Sequence, residues 1–142
     1  MRALLDVNVL IALLDADHIH HTIARSWLEA NIAEGWASCA VTQNGCIRVL
    51  SQSNYPNALP PADVAERLRE ATEAPFHHYW TDAPSSLSSS PVNWQFVHAS
   101  AQVTDAYLLG LAVHHGGRLV TFDHSVPRRA VPGAETQHLL LL

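Results

Sequence analysis

Three aspartates carry most of the chemistry this sequence can do. Asp6 interrupts an otherwise apolar run, Ala3-Leu4-Leu5-Asp6-Val7-Asn8-Val9-Leu10-Ile11-Ala12-Leu13-Leu14. An isolated acid in such a run is costly to bury unless something pairs with it. Asp123 follows Leu119-Val120-Thr121-Phe122, and Asp105 opens the apolar stretch that ends at His114-His115. A carboxylate at the end of a parallel strand lies at the carboxyl edge of its sheet, where open α/β folds place their ligands. A helix that precedes a parallel strand starts at the same edge, so Asp105 joins the other two. Three carboxylates at one mouth repel one another, and their pKa values rise unless a cation is present. A hard divalent ion with oxygen ligands, Mg²⁺ or Mn²⁺, suits them better than zinc, which prefers His and Cys. Such an ion supplies a nucleophilic water and neutralises charge developing on phosphorus, so the reaction class is phosphodiester hydrolysis. Taken singly, Asp105 also suits a helix first turn and Asp123 a turn. The case rests on the three together.

The elements that must position them alternate along the chain. Arg2 to Leu5 read as the first strand and Val7 to Leu14 as a short helix against the sheet. His20 to Ala33 form an amphipathic helix with Ile23, Trp27, Ala30 and Ile32 approximating its apolar face, stopped by Gly35. Trp36 to Ala40 read as a second strand. Thr42 suits the cap of the next helix, which runs through Ile47, Val49 and Leu50. Pro61 fits the first position of another helix. His77 to Trp80 read as a third strand, and the serine-rich stretch Thr81 to Val92 as a surface loop. Thr104 suits the cap of the helix Asp105 to His115, closed by Gly116-Gly117. Arg118 to Phe122 and His138 to Leu142 read as the last strands. This order predicts an α/β three-layer sandwich around a parallel sheet, in one domain over residues 1–142.

Composition narrows the function classes. The formal net charge is -5, which argues against a general nucleic-acid coat protein but not against an enzyme that grips a phosphodiester through metal ions. All eight basic residues are arginine, so catalytic or phosphate-binding lysines are excluded. Two cysteines without CxxC spacing suit a reduced, cytoplasmic setting. The apolar run at the N-terminus is too short to span a bilayer. The histidine groups His18/His20/His21, His77-His78 and His114-His115 hold adjacent residues that do not face one another, so zinc binding is not expected. His98 and His124 read as solvated.

The same residues resemble a known family. Leu5-Asp6-Val7-Asn8-Val9-Leu10 looks like the opening of PIN-domain ribonucleases, in particular the VapC-type toxins of bacterial toxin–antitoxin pairs. Thr42-Gln43-Asn44-Gly45-Cys46-Ile47-Arg48-Val49-Leu50 resembles their second motif, Val103-Thr104-Asp105-Ala106-Tyr107-Leu108-Leu109 the third, and Leu119-Val120-Thr121-Phe122-Asp123 the fourth. The resemblance spans essentially the whole chain. It implies a five-stranded parallel sheet and a Mg²⁺- or Mn²⁺-dependent endoribonuclease toxin. It also implies a homodimer silenced by a small cognate antitoxin. Carried over, Asp6, Asp105 and Asp123 are metal-site acids, Asn8 hydrogen-bonds near Asp6, and Thr121 supports the Asp123 end. Gln43 stands where the second motif has Glu; it keeps an acceptor oxygen but loses a charge. Weaker occupancy of any second metal position follows. Arg48, Arg128 and Arg129 are candidate phosphate contacts. Two other readings remain at this point. One is a non-catalytic or weakly active PIN-fold RNA-binding module. The other is a haloacid-dehalogenase-like phosphatase, which needs a second Asp where Asn8 stands.

Overall fold

The structure is a computed structural model, and it describes residues 1–82, 85–88 and 91–142. Five parallel strands form one sheet: β1 (Ala3–Leu5), β2 (Trp36–Ser38), β3 (His77–Tyr79), β4 (Arg118–Thr121) and β5 (Leu139–Leu141). Their spatial order is β3-β2-β1-β4-β5. The chain builds outward from β1 in one direction, then crosses back to lay β4 on its other side. The strand order therefore reverses between β1 and β4, the switch point at which such sheets open a crevice.

Five α-helices complete the three layers: α1 (Val7–Leu14), α2 (His21–Asn31), α3 (Ala40–Leu50), α4 (Pro61–Thr72) and α5 (Gln102–His114). Side chains alternate across a strand, so β1 feeds two cores. Ala3 and Leu5 join Val9, Leu10, Cys46, Leu50, Val64 and Leu68 on the face covered by α1 to α4. Leu4 joins Leu119, Ala37, Leu108, Leu109 and Ala112 on the face covered by α5. The three-layer α/β sandwich with a five-stranded parallel sheet is the expected one.

Local chemistry explains where the helices begin and end. α4 starts at Pro61, as expected, because its missing N–H is one the first turn would leave unpaired. α5 ends in a Schellman motif: the N–H of Gly117 donates to the Ala112 carbonyl and that of Gly116 to Val113, with Gly116 at φ 64°.

Two expected caps are corrected. Thr42 is not the cap of α3. The helix begins at Ala40 after Cys39, and Thr42 sits three residues inside it. From there its Oγ1 accepts the Cys39 N–H at 3.0 Å, the returning half of a capping box. Thr104 is likewise inside α5, which starts at Gln102. The buried face of α2 also differs: Ala24 is buried, Trp27, Leu28 and Ile32 pack at its sides, and Ile23 is exposed. Of the surface loop expected over 81–92, residues 83, 84, 89 and 90 lie outside the described residues.

One glycine sets how closely α3 approaches the start of α1. A Cβ on Gly45 would lie 2.6 Å from Val7 Cγ2, and Val has little rotamer freedom to yield. Gly45→Ala is expected to destabilise the fold by about 1–3 kcal/mol, the range for overpacking a tight contact. Urea denaturation of the two proteins measures it.

Candidate active site

Asp6 is where β1 becomes α1. Its backbone is extended (φ -63°, ψ 160°), and its Oδ1 accepts the Val7 N–H at 2.7 Å, which makes it the N-cap of α1. Its Oδ2 accepts from the Thr121 hydroxyl at 2.6 Å and from Asn8 Nδ2 at 3.1 Å. Asn8 is locked in turn, because its Oδ1 accepts the Phe122 N–H at 3.2 Å. Thr121 also accepts the Asp123 N–H at 3.0 Å. A continuous network thus ties the end of β1 to the end of β4 across the switch point. Asn8 is thus hydrogen-bonded to Asp6, and Thr121 to both Asp6 and Asp123.

Burial is the largest influence on Asp6 and pushes its carboxyl above the ordinary value; the hydrogen bonds from Thr121, Val7 and Asn8 oppose it, and Asp123 adds to the rise. Asp105, in the first turn of α5, is pushed up to about 6 by burial and then by the charges of Asp6 and Asp123. Asp123 goes the other way. Its Oδ1 accepts both the backbone N–H and the hydroxyl of Ser125 at 2.7 Å, and these bonds hold it below the ordinary value. The three acids read from the sequence are therefore electrostatic neighbours at one edge of the sheet.

The donor chemistry fits a hard divalent cation. Asp105 Oδ2 is a buried carboxylate oxygen with no hydrogen-bond partner among the described residues, and its charged neighbours are carboxylates too. Such an oxygen is satisfied by a cation or a proton. Among the described residues, no three His, Cys, Asp or Glu side chains are already closed around one point as a metal cage.

Among the described residues, the Gln43 side chain is hydrogen-bonded to Ser38 and to none of the three acids. It lies in the first turns of α3, and its Nε2 donates to Ser38 Oγ at 2.9 Å. Arg48 is exposed in the last turn of α3, about 7–8 Å along the helix axis from Gln43. Arg128 and Arg129 are exposed in a short turn after Asp123; Arg128 donates to Thr136 Oγ1 at 2.7 Å, and Arg129 lies 5.3 Å from the Phe96 ring centroid.

Three supporting residues were not read from the sequence. Ser125 orients Asp123, and the Asp-x-Ser spacing of an Asx turn was the available signal. Gln102 links the start of α5 to this turn, donating from Nε2 to the Ser125 carbonyl at 3.0 Å. His20 stacks on Phe122, with centroids 4.4 Å apart. No local pattern signals the last two.

Acids at the end of β1, in the first turn of α5 and in the turn after β4, beside the switch point of a parallel sheet, define a class of protein. The PIN domain family model matches residues 3–132, and the chain belongs to that family. Within it, the chain is of the VapC type. It is 53% identical over 142 residues to ribonuclease VapC44 of Mycobacterium tuberculosis, covering 100% of both chains. It is 37% identical over 134 residues to ribonuclease VapC39 of the same organism, covering 94% of this chain and 96% of that one. It is 43% identical over 125 residues to ribonuclease VapC38, covering 87% and 86%. The haloacid-dehalogenase-like reading falls with this assignment.

Proposed function

We propose that the chain, as a single PIN domain over residues 1–142, is a Mg²⁺- or Mn²⁺-dependent endoribonuclease toxin. It hydrolyses RNA phosphodiester bonds and is held in check by a small cognate antitoxin. The observation that carries the reading is the unpartnered, buried Asp105 oxygen facing the charges of Asp6 and Asp123. The ribonuclease names of its full-length relatives support the substrate class.

Asp6, Asp105 and Asp123 would hold the cation. When bound, it supplies charge neutralisation at phosphorus and a more acidic water as nucleophile. The chain's own residues do the rest. Val7, Asn8 and Thr121 fix both oxygens of Asp6, and Ser125 turns Asp123. Asp105 takes up a proton as the pH falls through about 6, so cation binding and cleavage decline there. The exposed Arg128 and Arg129 contact flanking phosphates, which a chain of net charge -5 otherwise repels.

A homodimer working in the cytoplasm completes the proposal. Cys39 and Cys46 are both free and buried, as a reducing compartment leaves them. No helix of the described residues is long and apolar enough to cross a membrane.

The test is to incubate purified, antitoxin-free protein with structured RNA in Mg²⁺, in Mn²⁺ and in EDTA. Cleavage in the metal arms alone is the expected result, weakening below about pH 6. RNA binding without cleavage would make the chain a binding module instead.

A further inference from the structure

Ser38, the last residue of β2, is wholly buried, yet it lies between two polar side chains. Its Oγ is 2.8 Å from His77 Nε2 on β3 and accepts from Gln43 Nε2 at 2.9 Å. The Gln43 amide occupies a lone pair of the Ser38 hydroxyl, which leaves the one Ser38 proton free to point at His77. His77 Nε2 accepts that proton, so the neutral ring carries its own on Nδ1.

We propose that Ser38 and His77 are positioning residues for Gln43. They form a one-way hydrogen-bond chain from the Gln43 amide through Ser38 to His77 Nε2, which leaves Gln43 Oε1 as the free acceptor at the carboxyl edge. No described residue donates to Oε1, and it is not among the buried polar atoms left without partners. α3 reaches that edge through Gly45, whose position packs on Val7, the residue after Asp6. At the mouth, Oε1 accepts from water or an RNA hydroxyl; this last step alone rests on the ribonuclease reading. The chain also accounts for Gln at this position. A carboxylate at 43 has no proton for Ser38, so Ser38 would turn its own proton toward residue 43 and leave His77 Nε2 without a donor. The ring lies tilted against Trp36, with His78 and Arg2 as the charges near it, and none of these supplies an acidic partner for it.

The tautomer of His77 decides the matter. Long-range ¹H–¹⁵N correlation spectra of the metal-free, RNA-free chain report it, with His77 assigned among the ten histidines by its loss in His77→Gln. A neutral Nδ1–H tautomer is expected, replaced in Gln43→Glu by the Nε2–H or charged form. A wild-type Nε2–H tautomer would overturn the proposal. Ser38 would then give its proton to Gln43 Oε1, and the N–H₂ would face out. In RNA cleavage, Ser38→Ala and His77→Ala are expected to lower kcat about tenfold with KM within about twofold. His77→Gln, which keeps an acceptor for Ser38, retains the rate. Unchanged kcat in both alanine variants would also overturn it, and if Ser38→Ala does not fold, the His77 pair decides. An Nδ1–H tautomer in a chain that cleaves no RNA would sink the ribonuclease reading and leave the hydrogen-bond chain intact.

Discussion

Asp105→Asn is expected to make the metal-free protein more stable while abolishing its response to metal. The Asp105 carboxyl sits near 6, above its value in an unfolded chain, because burial and two neighbouring charges penalise its ionised form. The folded state then holds an extra proton between about pH 4 and 6, so stability falls as the pH rises through that window. Above it, the cost is fully present. An amide carries no charge to desolvate and none to repel Asp6 and Asp123. The gain is about 1–2 kcal/mol, less than the whole shift because the amide that replaces the carboxyl must itself be buried. That corresponds to roughly 3–8 °C in Tm at pH 7.5, vanishing below about pH 4. Thermal unfolding in EDTA at the two pH values measures it, and a lower Tm in the variant at pH 7.5 would contradict the assignment of burial and repulsion.

Asp6→Asn is expected to lose activity too, but with the opposite effect on stability. Both oxygens of Asp6 face donors: the Val7 N–H on one side, the Thr121 hydroxyl and Asn8 Nδ2 on the other. An amide has only one acceptor, so either orientation sets its N–H₂ against a donor. Asn8 cannot flip to compensate, because its Oδ1 is held by the Phe122 N–H. The cost is about 1–3 kcal/mol for a buried group left unsatisfied. Cleavage should fall about a hundredfold or more, since removing even a residue that only orients a ligand costs 10–100-fold. Denaturation and single-turnover cleavage of the folded variant read the two effects separately. A variant as stable as the parent would count against the network, and an active one against Asp6 as a site residue.

These opposed outcomes mark what the sequence can and cannot display. The polarity of Asp6 within an apolar strand, and of Asp123 at the end of another, is visible in one dimension because parallel strands must end together. The topology then brings Asp105 to the same edge. The difference between Asp6 and Asp105 is not visible, since it depends on which donors the fold brings to each oxygen. Thr121 lies 115 residues from Asp6 along the chain. Helix starts were misread for a related reason. Thr42 and Thr104 have cap chemistry, but each is the third residue of its helix, and from there the Thr42 hydroxyl accepts the Cys39 N–H. The face of α2 was misread because Ile23 and Ala24 are adjacent; packing against α1 selected the smaller one. Ser38 and His77 gave no signal, because a serine in a buried strand matters only through the neighbour that the sheet supplies.

The proposed function requires that three aspartates, distant in sequence, hold one hard divalent cation between them. Calorimetric titration of Mn²⁺ into the antitoxin-free protein at pH 7.5 tests it. Saturable binding that is lost in Asp105→Asn, a variant expected to be more stable than its parent, is the predicted result. Saturable binding that survives unchanged in that variant, or none in the parent, would contradict it.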